Sequence, residues 1–405
     1  MSSTNHSLTD HFSEQIIKLS PNEITFSSSV ETINYKLFDF YQFIEKIFIP
    51  QNIKSIDVAE LQRLNLCSIS VDPNNPCFAS IDGVLLTKDK STLLFFPPKH
   101  LNQHYLIPST VTTIGDSAFS HSSQLIDVTI PTSVTSIGDS PFSHCVCLKN
   151  IFVESSNPYY VSLDGILFTK DLQTLICSPA NKDDSTVNIP SSVTSISNKA
   201  FLYCSHLTSI SIPSSVKFIG NSQFQDCHRL KQIIISSSVE SIGDHSFCSC
   251  FSLQEIAVDS NNQKYISIDG VLFTKDIQTL VCYPSEKNYL SYTIPNGVSI
   301  IGPYAFSNCN HIINIKIPFG VTSIGEFAFA NCSNLELIRI PKSVCYIGRD
   351  AFASCEYLST LFLPFGLLSI EDRTFSGCIQ LTSITIPSSV TSIGQEAFMN
   401  CKYLT

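Results

Sequence analysis

The residues here best able to do chemistry are thiols. The chain has 16 Cys, and nine of them recur in one slot of a regular phrase: Cys145, Cys204, Cys227, Cys250, Cys309, Cys332, Cys355, Cys378 and Cys401. Ser122 fills a tenth such slot. A thiolate is a nucleophile and a metal ligand, and two thiols make a disulfide, so each use has to be weighed. Thiols in one slot of stacked coils run parallel. Their Cβ atoms then keep the strand spacing of about 4.8 Å, wider than the roughly 3.8 Å a disulfide prefers. The run from Cys309 to Cys401 has five members, so pairing would leave one over. The expectation is a row of reduced, buried thiols packing as small apolar groups.

Other clusters are weaker. Cys145-Val146-Cys147 and Cys248-Ser249-Cys250 are C-x-C pairs, but zinc sites want C-x₂₋₄-C twice, and one Cys of each pair already belongs to the row. His121 and His144 share a slot in adjacent coils, at about 5 Å by strand spacing. A metal site or a Cys–His nucleophile there needs a third, orienting group, and none is suggested; exposed corner histidines are expected. The loops Asp72-Pro73-Asn74-Asn75 and Asp259-Ser260-Asn261-Asn262 carry oxygen ligands but lack the periodicity and Gly of a calcium loop, so turn chemistry accounts for them. Phosphate-loop, G-x-S-x-G and H-E-x-x-H patterns are absent. The chain is therefore read as non-enzymatic, with no cofactor and no metal. Asn5-His6-Ser7 and Asn331-Cys332-Ser333 are glycosylation sequons, which by themselves assign no compartment.

What positions all these residues is a 23-residue phrase, P-x-x-V-x-x-I-G-x-x-A-F-x-x-C-x-x-L-x-x-I-x-I. Copies start at Pro108, Pro131, Pro190, Pro213, Ser236, Pro295, Pro318, Pro341, Pro364 and Pro387, spaced by 23 or, across an insert, by 59. Such a period implies a stacked solenoid of the leucine-rich type. Ile384 and Ile386 alternate with Ser383 and Thr385, which reads as a strand buried on one face; the Pro that follows ends it. Val390 and Ile393 mark a second short extended side. The Gly after that Ile is expected to turn a corner with positive φ. The Phe, from Phe119 to Phe398, is expected to stack coil on coil into a buried aromatic spine. Weaker copies upstream, through Ile33, Ile47, Ile56 and Ile69, bring the count to about twelve coils.

Three inserts share SIDGVLFTKD-like text, with Asp82-Gly83, Asp164-Gly165 and Asp269-Gly270 between β-branched runs. Asp-Gly in that setting is a hairpin signal, so each insert is expected to be a meander that continues the sheet. The domain reading is a polar N-terminal cap over residues 1–23, then one mainly-β solenoid over 24–405 with enlarged coils near 71–107, 153–189 and 258–294.

Composition narrows the partners. Apolar residues make up 43% and charged ones 14%, with a net charge of −10 and no run of Lys or Arg, which argues against nucleic acid and anionic membranes. No apolar stretch reaches the length of a membrane span, and the N-terminus lacks the pattern of a secretory signal. The last residues stop within a strand, so the ending is expected to be truncated, with an anchor able to follow.

The phrases IPSSVTSIGDSPFSHC (130–145), IPFGVTSIGEFAFANCSNL (317–335) and IPSSVTSIGQEAFMNC (386–401), with the DGVLFTKD inserts, resemble the BspA-like family of Treponema-type leucine-rich repeats. The resemblance covers roughly 24–405. It implies a surface or extracellular adhesion-type protein whose partners are proteins or matrix and cell-surface macromolecules, and it brings no catalytic residues. An intracellular, cytoplasmic interaction scaffold on the same solenoid is the alternative, motivated by the missing signal and the reduced thiols. For either role, the contact residues expected on the outward face of the main strands are Phe152, Ile234, Lys316, Leu337, Arg339 and Phe362, with Leu337, Arg339 and Phe362 on adjacent coils forming one patch.

Overall fold

A regular coil contributes a three- or four-residue strand to a broad face and a two-residue strand to a second face. Inward Ile and Leu of the broad strands stack on their equivalents 23 residues away: Ile315 pairs in register with Ile338, and Leu361 with Ile384. The computed structural model describes residues 15–34, 38 and 43–405. Residues 1–14 of the expected cap, and with them the Asn5 sequon, lie outside the described residues. Among the described residues the helical element is the single turn Val58–Leu61, capped by the Asp57 carboxylate, which accepts the Ala59 N–H at 3.1 Å.

Two compact units share the chain: one runs to Asp183 and includes Ser197–Tyr203, and the other comprises Asp184–Ile196 and Cys204–Thr405. In the first, Ile16–Ser20 pairs antiparallel with Glu23–Phe26, which opens a parallel run through Lys46–Ile49 to Ser68–Val71; a second run joins His104–Leu106, Asp127–Ile130 and Asn150–Val153. In the second, the broad face runs from Thr186–Val187 to Glu255–Val258, and again from Ser291–Thr293 to Ser383–Thr385. The fold is a leucine-rich-repeat β-solenoid of about 16 turns. The sequence count of about twelve fell short because Glu23–Phe26 already begins the parallel run and each insert returns along the broad face, at His104–Leu106, Thr186–Val187 and Ser291–Thr293. Those return strands carry few residues of the repeat phrase.

The inserts are meanders, as expected. Phe78–Ile81, Val84–Thr87 and Thr92–Phe95 run antiparallel, and the third strand pairs parallel with Thr113–Ile114 of the second face. Asp82 and Gly83 both have positive φ (50° and 84°), the geometry a two-residue hairpin turn needs. The hairpin tips also reach the broad face, where Gly83, Gly165 and Gly270 carbonyls accept from the N–H groups of Ile69, Ile151 and Ile256 at 2.8, 2.9 and 3.0 Å.

The corner Gly is corrected by the structure. The Gly residues with positive φ are Gly83, Gly165, Gly270 and Gly377, none of them the Gly that follows the Ile of the phrase. What excludes a side chain at that corner is close approach of the preceding coil: a Cβ on Gly325 would fall 2.6 Å from the backbone nitrogen of Pro303. The left-handed positions are instead two residues later, as at Tyr304 and Phe327, and just before the Cys, as at Asn308 and Asn331.

The spine forms. In the second unit Phe306, Phe329, Phe352, Phe375 and Phe398 stack with ring centroids 5.1, 5.1, 5.7 and 5.6 Å apart. It also takes in ring side chains from the inserts: Tyr283 lies 5.0 Å from Phe306, and Phe96 of the first unit 5.1 Å from Phe119.

At the entry of each insert one Asn is wholly buried: Asn75, Asn157 and Asn262. The amide of Asn262 donates to the carbonyls of Ser236 and Val239 at 2.8 and 3.0 Å, and its oxygen accepts from the N–H groups of Lys264 and Tyr265, both at 2.8 Å. Asn75 and Asn157 repeat that pattern on their own coils. A buried amide with all four bonds made fastens the enlarged coil to its neighbour. The neighbouring Asp72 and Asp259 each accept a backbone N–H two residues on, at 2.8 Å, which is the turn chemistry expected of those loops.

Candidate binding face

The thiol row has a hydrogen-bonding role that packing alone did not suggest. Cys332 Sγ donates to the carbonyl of Phe306 at 3.0 Å, Cys355 to Phe329 at 3.2 Å, Cys378 to Phe352 at 3.3 Å and Cys145 to Phe119 at 2.9 Å. Ser122 makes the equivalent bond to Phe96, which explains why Ser fits the tenth slot. Burial pushes the Cys145 and Cys332 thiols up to about 12. A neutral, buried thiol is a poor nucleophile, and among the described residues no group of three or more His, Cys, Asp or Glu is arranged to hold a metal ion. His121 and His144 do meet, with rings 4.2 Å apart and nearly parallel.

The expected contact residues fall on outward positions of the broad strands. In the first unit Phe152 is exposed and stands one rung from Thr129, which in turn pairs with Leu106, an exposed residue the sequence reading missed. Three polar side chains of that face bond to one another: His104 Nδ1 and Asp127 Oδ2 are 2.7 Å apart, and Asn150 Nδ2 donates to Asp127 Oδ1 at 2.9 Å.

In the second unit Ile234 is alone, between Ser211 and Ala257. The other four residues are brought together. Lys316 pairs in register with Arg339, Asn314 with Leu337, and Leu337 with Thr360, which places Phe362 in the column of Lys316 and Arg339. Phe362 is 70% exposed. Just past the strands, Phe319 and Phe365 are 85% and 75% exposed, and Lys342 holds the same turn position on the coil between them. Neither aromatic was singled out from the sequence. The signal was present, because PFG replaces the usual PSS at 318–320 and 364–366. Lys316, Arg339 and Lys342 form no ion pair with a described residue. The strip thus sets three exposed aromatic rings among three unpaired cations.

Coils with one strand on a broad face, a Phe spine and a period of 23 residues define a leucine-rich-repeat protein. The chain belongs to the BspA-type leucine-rich-repeat family, whose model matches residues 7–81, 96–164, 180–285 and 275–405. It is similar to a solved leucine rich cell surface protein from Faecalibacterium prausnitzii, at 28% identity over 82% of this chain and 94% of that one, with a TM-score of 0.55. It is also similar to a solved leucine-rich repeat protein from Eubacterium ventriosum, at 25% identity over 82% of each chain, TM-score 0.53. No curated protein sequence matches it. These likenesses make it a repeat-based binding protein. No helix among the described residues is long and apolar enough to cross a membrane.

Proposed function

We propose that this chain is a cell-surface or extracellular adhesion-type protein, which acts by binding rather than catalysis and holds another protein through the strip formed by Lys316, Leu337, Arg339 and Phe362, extended by Phe319, Lys342 and Phe365. The observation that carries this reading is the set of exposed aromatic rings beside cations left without carboxylate partners. Aromatic and Arg side chains dominate the energetics of protein interfaces, and unpaired cations select an acidic partner segment. Phe152 and Ile234 are supporting contacts on the same type of face. A net charge of −10 weighs against a nucleic-acid partner, and the partner proposed is a matrix or cell-surface protein. The relative from Faecalibacterium prausnitzii carries a cell-surface description, which supports the proposed location.

The test is binding of the purified chain to intact cells and to immobilised matrix proteins, compared with the double variant Arg339→Ser, Phe362→Ser. Binding that drops sharply in the variant supports the reading. Equal binding by the two proteins removes the strip from it, and no binding by either removes adhesion. A second reading, an interaction scaffold in a reducing compartment, is favoured by the free thiols of the ladder. Protease shaving of intact cells separates the two, since only a surface protein is cleaved while the cells remain whole.

A further inference from the structure

Apart from the broad face, the first unit has a corner where positive groups converge. His121 and His144 both hold left-handed backbone conformations, φ 64° and 61°, in the slot just before the Cys position. Their rings stack at 4.2 Å with 14° between planes, and the Tyr203 ring lies 5.1 Å from that of His144. These rings form one wall of a hollow of about 370 Å³. Arg63, Lys99 and Ser123 line it together with the amides Gln62 and Asn65 and the apolar Leu64, Pro98 and Val146, and no Asp or Glu is among the lining residues. Lys99 Nζ lies 3.3 Å from Ser123 Oγ. Arg63 has Glu60 as a partner at 3.7 Å, with its side chain three-quarters exposed.

A hollow lined by two imidazoles, an ammonium and a guanidinium is unusual on a chain of net charge −10. Burial, and then the charge of Lys199, hold the His121 proton affinity below the usual histidine range. Of the acids of the same two corners, Asp116 accepts the Asp139 N–H at 2.8 Å, Asp139 is exposed, and neither lines the hollow. Two stacked imidazoles beside Lys99, Arg63 and Lys199 resist double protonation because like charges repel at close range. A bound anion removes that penalty, so anion and proton uptake support each other.

We propose that this hollow is an oxyanion site, taking a phosphate or sulfate group with His121, His144, Lys99 and Arg63 as its ligands. The space exceeds what a bare tetrahedral ion fills, so an ester on a sugar or an amino acid fits as well as the free ion. Binding strengthens as the pH falls through the histidine range. The site is independent of the strip on the second unit and does not rest on the adhesion reading.

The test is an NMR titration of the His121 and His144 imidazoles in the full chain with inorganic sulfate, whose charge is constant between about pH 5.5 and about pH 7.5, so that the pH dependence reports the protein's own protons. The expected result is saturable movement of both imidazole signals, with roughly tenfold tighter binding at the lower pH. Phosphoserine and a sugar sulfate ester are run in parallel. Tighter binding than free sulfate assigns a carried ester, and equal binding assigns the free ion. The double variant His121→Asn, His144→Asn keeps the fold, because Asn308, Asn331 and Asn400 already occupy this slot with positive φ. It should lose both the affinity and its pH dependence, while Lys99→Gln loses affinity and keeps the pH dependence. If millimolar sulfate moves neither imidazole, or if the double Asn variant binds as tightly as the parent chain, the site does not exist.

Discussion

Two stretches of broad face are built from the same coil and differ only in what points outward. On His104–Leu106, Asp127–Ile130 and Asn150–Val153 the polar side chains are bonded to each other, Asp127 accepting from one neighbour and touching the imidazole of the other. On Asn314–Lys316, Leu337–Arg339 and Thr360–Phe362 the equivalent positions hold cations without acids and an exposed ring. The inward residues, the spine and the thiol bonds are alike in both. A face whose charged groups satisfy one another keeps only its exposed Phe152 and Leu106 in reserve, whereas one with unpaired charge beside exposed rings has both hydrogen-bonding capacity and apolar area to spare. The difference teaches that the coil is a scaffold indifferent to its outward residues, which are free to vary from one coil to the next.

The sharpest way to break this separation is to damage the scaffold and look for an effect on the strip. Phe329→Ala should destabilise by about 3–5 kcal/mol in a denaturant titration, because the ring is wholly buried between Phe306 and Phe352. A small loss would show that the spine does not hold the coils together.

Next is Asn262→Ala, which strips partners from one buried and one part-buried carbonyl and from two N–H groups and should cost about 3 kcal/mol. The same change at exposed Asn261 should cost almost nothing, and equal losses at the two would sink the fastening role.

The thiols add a pH test. Their folded pKa values lie above the unfolded value, so the stability they contribute is full below about pH 9 and is lost as the pH rises towards about 12. Urea midpoints should therefore fall on the alkaline side, and less so in Cys145→Ser. A midpoint independent of pH there would mean that the thiols are exposed.

The smallest effects sharpen the comparison itself. Phe362→Ala should leave stability within about 0.5 kcal/mol while weakening partner binding by about 2 kcal/mol. Asp127→Ala should change stability by less than about 1 kcal/mol and binding not at all. If Asp127→Ala weakens binding as much as Phe362→Ala, the contrast between the two faces fails.

Much of this was legible in the residues. Pro and Phe at fixed spacing announce the coil, because one residue type must end each strand and one must fill each core layer. The Asp-Gly pairs announce the hairpins, because few other dipeptides accept two positive φ angles in succession. What stayed hidden was set by contacts between coils. The corner Gly is required by the backbone of the coil before it, not by its own torsion. The role of Asn262 depends on carbonyls 23 and 26 residues away. The return strands at His104–Leu106, Thr186–Val187 and Ser291–Thr293 lack the phrase, although each ends just ahead of a repeat-starting Pro. The strip was half read: Leu337, Arg339 and Phe362 followed from strand alternation, whereas Phe319 and Phe365 sit in turns, where alternation says nothing.

The thiol-to-carbonyl bonds have the same sequence separation wherever they recur within a unit: 26 residues from Cys332 to Phe306, from Cys355 to Phe329 and from Cys378 to Phe352. A gene segment encoding a whole number of these 23-residue repeats can therefore be duplicated or deleted by recombination, and the thiols of the uninterrupted run still find a Phe carbonyl at the proper distance. Such a lineage can lengthen, shorten or shuffle its outward surface while the fold beneath it is inherited intact.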